Sequence, residues 1–336
     1  MQAFEDTWEW NDVSSRALND FVESPDIPDR PKAALLGFEK LLGHSDMMAY
    51  LAMMAPRLIE LHRVLKPSGS LYLHCDPTAS HYLKLILDSV FGPDRFRSEI
   101  VWRRSNVHNK TTRQYGPIHD TIFFYTKGED FYFQPGLRPH MRGYIREWFT
   151  GEDAKGPFRT NMLTGPGVRN GPSGKKWKNF DPTTVGRHWA IPKSLKPELP
   201  PEAAEWPTQQ ILDFLYDKGH IYIPRDGEGQ PKYIQRISEG VPFQDIWAYQ
   251  PYTQDTQHGI DECLDEDVRW LEHDSEKLGF PTQKPVGLLE RIISTSTRPG
   301  EVVLDPFCGC GTTIAAAHKL KRRWVGIDGN RSHPGE

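Results

Sequence analysis

Two glycines and two acids near the end of the chain have the spacing of a nucleoside-binding turn. Gly309 and Gly311 follow a short apolar run that ends in Asp305, and Asp328 ends a second apolar run seventeen residues after Gly311. Glycine has no Cβ, so the chain can turn sharply and its N–H groups can approach a ligand closely. A carboxylate at the end of the second run can accept hydrogen bonds from ribose hydroxyls. This stretch predicts one βαβ half of a nucleotide-binding sheet.

The turn differs from two common phosphate-binding loops. It lacks the third glycine of a dinucleotide site, and the helix after it begins with Thr312 and Thr313, without the lysine of a P-loop. Asp305 would also repel a pyrophosphate. A cationic or neutral nucleoside therefore fits better, and a nicotinamide-dependent dehydrogenase is the weaker interpretation.

Two motifs together resemble the amino-methylating DNA methyltransferases of the β-type order. They are Asp305-Pro-Phe-Cys-Gly-Cys-Gly-Thr-Thr313 and, earlier in the chain, Phe280-Pro-Thr-Gln-Lys-Pro285. The resemblance implies S-adenosylmethionine as the cofactor. It also implies an α/β fold with a Rossmann-like methyltransferase sheet, circularly permuted so that the catalytic half precedes the cofactor half. In this family the cofactor would be held by residues of both motifs and of the next strand: Asp305, Phe307, Gly309, Gly311, Thr312, Asp328, Thr282, Gln283 and Lys284.

Composition and resemblance divide the chain into three predicted parts. Residues 1–127 correspond to the catalytic half of the methyltransferase domain. Residues 128–278 are rich in Gly, Pro, Trp, Lys and Arg, which predicts an inserted, irregular target recognition domain. Residues 279–336 correspond to the cofactor half. The apolar spacing predicts helices at 35–42, 47–65, 78–91 and 209–218, and strands at 70–76, 99–104 and 119–127. The last two strands resemble the antiparallel hairpin that closes one edge of the family's sheet.

His74 and Asp76 follow the first predicted strand. In open α/β sheets the ligand crevice lies beyond such strand ends, which makes both residues candidates for the pocket. Asp76 also precedes a predicted helix, and a helix-capping role is about equally supported for it.

A basic segment lies in an otherwise acidic protein. The whole chain has a formal net charge of −4, yet residues 103–190 contain fifteen Lys and Arg against seven Asp and Glu. Several of these cations are interleaved with aromatic residues, a pattern that can pair phosphates and stack on bases, although cation–π packing in a small aromatic core would give the same pattern. The predicted DNA-binding residues are Arg103, Arg104, Lys175, Lys176, Lys178 and Arg187. Charge alone does not distinguish duplex DNA from RNA.

The catalytic motif of the family, Asp/Asn/Ser-Pro-Pro-aromatic, is absent from the sequence. Asp76, Asp181 and Asp305 are each followed by a single proline, so the catalytic residues stay unassigned. We expect a chain truncated at both ends, with weak or no activity. The lost catalytic strand would lie between the strand that ends at Asp76 and the strand that ends at Asp305, and its loss would leave backbone groups without partners.

The predicted function is site-specific transfer of a methyl group from S-adenosylmethionine to adenine N6 in double-stranded DNA. The target base must be flipped out, because its amine is otherwise engaged in pairing. Cytosine N4 is the alternative target, and a non-catalytic DNA-binding remnant is the rival from another class. Homodimers and restriction endonuclease partners are common in this family, and neither leaves a readable mark in the sequence.

The cysteines and the apolar runs exclude several other classes. Four cysteines in 336 residues do not form a disulfide framework. Cys308 and Cys310 are interpreted as small turn residues, not as a metal pair, and we expect no metal. No apolar run approaches membrane-spanning length, and residues 1–12 are unlike a signal peptide. The sequence therefore predicts a cytoplasmic protein.

Overall fold

The computed structural model describes residues 8–105, 113, 115–224, 229–251, 263–271, 276–280 and 282–328. The chain divides into two compact units. The first comprises Met1–Arg138, Pro242–Thr253 and Glu262–Glu336, and the second comprises Pro139–Val241 and Gln254–Asp261. None of the helices in the described ranges combines the length and apolar character needed to cross a bilayer.

The α-helices of the described residues include the four predicted at 35–42, 47–65, 78–91 and 209–218 and the helix predicted after the glycine turn. They are α1 Asp12–Glu23, α2 Asp29–Leu42, α3 Asp46–Val64, α4 Pro77–Phe91, α5 Arg142–Trp148, α6 Thr208–Asp217, α7 Val286–Ser296 and α8 Thr312–Lys319. α1 and α5 were not predicted from the sequence. The N-cap Asn11 marks the start of α1, since its side chain accepts hydrogen bonds from the N–H groups of Val13 and Ser14.

The β-strands are mostly short. They are β1 Ser70–Cys75, β2 Phe96–Arg103, β3 His119–Thr126, β4 Leu137–Arg138, β5 Gly151–Asp153, β6 Gly156–Met162, β7 Thr164–Pro166, β8 Arg187–Trp189, β9 Ile221–Tyr222, β10 Lys232–Arg236, β11 Val241–Pro242, β12 Ile246–Trp247, β13 Gln250–Pro251, β14 Cys263–Leu264, β15 Val302–Asp305 and β16 Arg323–Gly326. The three strands predicted before residue 128 are confirmed.

The main sheet of the first unit has the order β1-β3-β2-β12 within the described residues. β3 pairs antiparallel with both β1 and β2, which confirms the predicted hairpin. The hairpin does not close the edge, however, because β12 pairs parallel with β2 through Ile246 and Trp247. This two-residue strand lies far along the chain from its partner and has no local sequence signal, so the expectation was wrong on that point.

The two faces of the main sheet are buried by different helices. Leu73 and Cys75 of β1 and Phe123 of β3 point into the larger core, which α1, α2, α3 and α4 complete. Burial raises the pKa of the Cys75 thiol to about 12. The opposite face contributes Ile100, Trp102 and Ile122 to a second core that includes Leu288 of α7. The period-2 alternation of the strands thus places one set of side chains under each layer of helices.

β15 and β16 form a separate parallel pair. Val303 packs with α7 and α8 around Ile293, Ala316 and Ala317. On the other face, apolar side chains are left open: Val302, Leu304, Val325 and Ile327 are between 36% and 53% exposed. Since buried parallel strands are normally covered on both faces, this pair has the composition of an interior strand pair and the exposure of a surface one.

The second unit is built around an antiparallel sheet of order β5-β6-β10-β9 in its described part. β7 and β8 form a hairpin beside it. Leu163, Trp177 and Trp189 pack against Leu212 and Leu215 of α6. The irregular segment therefore has its own aromatic core, which accounts for part of its Trp content.

Candidate cofactor and target site

The glycine turn after β15 is held by the acid that precedes it. The N–H of Phe307 donates to Asp305 Oδ1 at 3.0 Å. Gly309 and Gly311 have φ values of 49° and 84°, in the left-handed region that disfavours a Cβ, and Gly311 is the N-cap of α8. The helix begins at Thr312, as predicted. The turn therefore requires glycine at both positions for conformational reasons.

The two predicted cofactor acids lie at the carboxyl ends of neighbouring parallel strands, Asp305 as the last residue of β15 and Asp328 two residues after β16. The N–H of Ile327 donates to the Asp305 carbonyl at 2.9 Å, and the N–H of Cys308 donates to the Ile327 carbonyl at 3.1 Å. Burial first, and then the charges of Asp305 and Asp328, raise the pKa of the Cys308 thiol between them. This edge is thus acidic, which suits hydroxyls and cations and disfavours phosphate.

Gly326 is a site residue that the sequence analysis did not single out. A Cβ at this position would overlap with the side chain of Ile314 and would lie 3.2 Å from Cys308 Sγ. The end of β16 can approach the turn and α8 only with glycine here. An interior glycine in a short apolar strand was the signal that could have identified it.

The raised pKa of Cys308 predicts a shifted alkylation profile. We expect the rate of its iodoacetamide alkylation, followed by peptide mass spectrometry, to rise at higher pH than in the urea-unfolded chain, because the thiolate is the nucleophile. Asp328→Asn should move this midpoint back towards the unfolded value. Equal midpoints in the folded and unfolded chains would contradict the acidic environment described above.

The two motifs that carry the family resemblance are in contact. The Phe280 ring lies against the turn, with Cε1 3.1 Å from the position that a Gly309 Cβ would occupy. Thr282 and Lys284 follow, and Lys284 Nζ donates to the Thr282 carbonyl at 2.8 Å. These contacts bring the segment predicted to hold the amino-acid end of the cofactor next to the glycine turn.

Gln283 has a structural role in this segment. Its Nε2 donates to the Glu276 carbonyl at 2.7 Å, and its Oε1 accepts from the N–H of Leu278 at 2.8 Å. Glu276 in turn caps α7, because its Oε1 accepts from the N–H of Val286 at 2.6 Å. The Gln283 amide therefore positions the loop, while its prediction as a cofactor contact stays a prediction.

His74 is part of a charged cluster at the end of β1. Its Nε2 lies 2.9 Å from Asp120 Oδ2, and the Asp120 side chain is only 7% exposed. Arg104 Nε lies 3.1 Å from Asp120 Oδ1 as an ion pair without hydrogen-bond geometry. The ring of His74 packs edge-on against Trp102. A histidine held by a buried carboxylate has a fixed ring orientation, which suits a group that contacts a ligand.

Asp76 has the capping role. Its Oδ1 accepts from the N–H groups of Thr78 at 2.8 Å and Ala79 at 3.0 Å, at the start of α4. Of the two roles that the sequence left open, the structure shows this one.

The predicted DNA-binding cations of the first unit are engaged within it. Arg103 Nη1 donates to the Tyr249 carbonyl at 3.1 Å, and its guanidinium stacks on Trp270. Arg104 pairs with Asp120, although its side chain is 43% exposed. Arg103 thus links Tyr249 and Trp270 to β2. The exposed part of the Arg104 side chain is the better candidate for a contact with DNA.

The predicted DNA-binding cations of the second unit differ in exposure. Arg187 donates from Nε to Thr164 Oγ1 and from Nη2 to the Thr164 carbonyl, both at 2.8 Å, which fastens the β7–β8 hairpin. Lys178 lies over the ring of Tyr216, 4.2 Å from its centroid. Lys175 and Lys176 are exposed. Both interpretations of the cation–aromatic pattern therefore have examples, and DNA contact by these residues stays a prediction.

Comparison with known proteins decides the family. The family model described as DNA methylase, of the N6/N4 methyltransferases, matches residues 8–333. The chain belongs to this family. The chain is 30% identical over 281 residues to the type II methyltransferase M.EcaI of Enterobacter cloacae, covering 83% of this chain and 54% of that enzyme.

A second relative and a solved structure extend the comparison. The chain is 25% identical over 315 residues to the Mod subunit of the type III restriction-modification enzyme StyLTI of Salmonella typhimurium LT2, covering 92% of this chain and 43% of that subunit. The crystal structure of the M1.HpyAVI–SAM complex matches with a TM-score of 0.36 and 15% identity, covering 83% and 77% of the two chains. The chain spans about half the length of the curated relatives it matches.

Proposed function

We propose that this chain is part of an amino-methylating DNA methyltransferase that uses S-adenosylmethionine to methylate adenine N6 in duplex DNA, with cytosine N4 as the alternative target. The observation that carries the proposal is the acid-flanked glycine turn in contact with the Phe280 motif. Membership of the DNA methylase family supports it. The fold is then the circularly permuted methyltransferase order, with residues 128–278, which include the second unit, inserted as a target recognition domain.

The residues of the turn fit the proposed cofactor. When bound, S-adenosylmethionine supplies a methyl group activated by a sulfonium charge. Asp305 and Asp328 give the edge a negative potential that favours a cation and accepts hydroxyl hydrogens. Gly309 and Gly311 leave room for a close backbone approach, with Phe307 and Thr312 beside them. Lys284, with Thr282, would pair the carboxylate at the amino-acid end.

The target amine needs more than cofactor binding. It is paired inside the duplex, so the base must leave the stack before it can react. It then needs an acceptor that orients its lone pair and an aromatic plate that holds the base. The family provides both in a Pro-Pro-aromatic motif that this sequence lacks.

The split of the sheet supports a missing strand. Among the described residues, β1 pairs only with β3, and β15 pairs only with β16. The apolar face of Val302, Leu304 and Val325 is also open to solvent. We infer that a strand carrying the catalytic motif completes the sheet between β1 and β15 and that it lies outside this chain. Unpaired interior edges are otherwise unfavourable, because each unmet backbone group costs about 1–3 kcal/mol.

A methyl-transfer assay distinguishes the proposed enzyme from a non-catalytic DNA-binding remnant. The missing catalytic motif favours the remnant. The chain is incubated with tritiated-methyl S-adenosylmethionine and mixed-sequence duplex DNA, and the digested nucleosides are separated. We expect cofactor binding with weak transfer, and the transferred label in N6-methyladenine. Binding with no transfer at all would favour the remnant. Rapid transfer would contradict the missing strand, and label in N4-methylcytosine would contradict the adenine target. The homodimer and the restriction endonuclease partner stay predictions.

A further inference from the structure

Three polar side chains lie together on one face of the sheet in the second unit. β6 and β10 pair antiparallel with Gln235 opposite Arg159 and Tyr233 opposite Asn161. Side chains alternate between faces along a strand, so Arg159, Asn161 and Gln235 project to the same side. We call these three residues the β6–β10 array.

Gln235 joins the array. Its Oε1 accepts from Arg159 Nε at 3.0 Å and from Asn161 Nδ2 at 2.5 Å. No other described residue hydrogen-bonds to the terminal amino groups of Arg159, to Gln235 Nε2 or to Asn161 Oδ1. The array therefore presents a two-pronged donor beside an amide donor and an amide acceptor.

The array is held rigidly. The same face continues into the aromatic core, where Tyr233 packs and Ile221 is 5% exposed. The Arg159 guanidinium also stacks on the ring of Phe149, 5.2 Å from its centroid. All three side chains are half-buried, so their rotamers are restrained and their unused polar groups stay accessible.

We propose that the β6–β10 array reads base edges in duplex DNA and sets part of the target sequence. This inference rests on the proposed function. An arginine fork matches guanine O6 and N7, and an amide with one donor and one acceptor matches adenine N6 and N7. Antiparallel strands can present such groups in the major groove. Gln235 and Asn161 are neutral, so they gain little from contact with a phosphate. Base edges, in contrast, can pair with the hydrogen-bond donors and acceptors of both side-chain amides.

The experiment selects bound duplexes from a pool with a randomised centre, using the full chain, and sequences them. Arg159→Lys keeps the charge but loses the fork, so it should keep overall affinity and lose base preference at one or two positions, on the order of ten- to hundredfold. Gln235→Leu should lose preference at the same or an adjacent position. Lys232→Gln is the matched control, because Lys232 is an exposed cation of β10 on the opposite face. It should leave the selected sequence unchanged, and any loss of affinity should be the same for all sequences.

The outcomes separate the array from the proposed function. Loss of preference in Arg159→Lys with an unchanged thermal unfolding midpoint supports the inference. If the wild-type chain selects a sequence and all three variants select the same one, the array does not read bases, and the DNA methyltransferase proposal stands. If the wild-type chain binds duplexes without sequence preference, the inference about the array is overturned, while the DNA methyltransferase proposal stands. If it binds no duplex at all, DNA recognition by this chain fails together with the inference.

Discussion

Replacing Arg291 with alanine is expected to lower the free energy of unfolding by about 3–5 kcal/mol, the loss typical of breaking a buried ion pair. Its side chain is 1% exposed and pairs with Asp265, which is 6% exposed, and with Asp267. The guanidinium also stacks on Phe243, 3.8 Å from the ring centroid. Without the cation, the Asp265 carboxylate stays buried and unpaired, which is the costly part of the change.

Urea unfolding followed by circular dichroism measures this loss. Arg298→Ala is the matched control, because Arg298 is an exposed arginine that lies two residues after α7 and stacks on Tyr132. The control should change the unfolding free energy by less than about 1 kcal/mol. Restoring much of the stability by adding Asp265→Asn to Arg291→Met would confirm the electrostatic cause. A loss below about 1 kcal/mol in Arg291→Ala would show that this cluster does not anchor α7.

Replacing Asp328 with alanine is expected to weaken S-adenosylmethionine binding about 10- to 150-fold, which corresponds to one lost hydrogen-bond partner of charged type. Asp328 lies two residues after β16, beside the turn that Asp305 holds. Asp328→Asn keeps an acceptor and loses the charge, so its effect should be intermediate. The measurement is calorimetric titration of each variant with the cofactor.

Glu301→Ala is the control for the cofactor acids. Glu301 lies just before β15, where its Oε2 accepts from the N–H of Arg298 at 2.6 Å. It is therefore at the amino end of the same strand pair, away from the glycine turn. We expect unchanged cofactor affinity in this variant. Equal losses in Asp328→Ala and Glu301→Ala would indicate a general electrostatic or folding effect and not a ribose contact.

Local chemistry made much of the site predictable from the sequence. Gly309 and Gly311 adopt the positive φ values that favour glycine, and the apolar runs ending in Asp305 and Asp328 do form neighbouring parallel strands. These features depend on residues close together in the chain, where periodicity and turn chemistry are informative.

Features that depend on distant partners were not predictable. β12 is two residues long and pairs with β2 more than a hundred residues earlier, so no periodicity indicates it. The hydrogen bonds of Gln283 to the loop before α7 and of Arg187 to Thr164 had no sequence signal, and the roles of both residues as ligand contacts stay predictions. A polar side chain has the same sequence signal whether its partner is a ligand or a distant backbone group. Only the tertiary arrangement distinguishes the two cases.

The central claim is that the acid-flanked glycine turn binds S-adenosylmethionine. The most direct test is isothermal titration of the purified chain with this cofactor, with circular dichroism to establish that the chain is folded. We predict saturable binding at one site, lost or strongly weakened in Asp305→Ala and retained in Glu301→Ala. A folded chain that binds no S-adenosylmethionine would contradict the cofactor assignment and, with it, the proposed methyltransferase function.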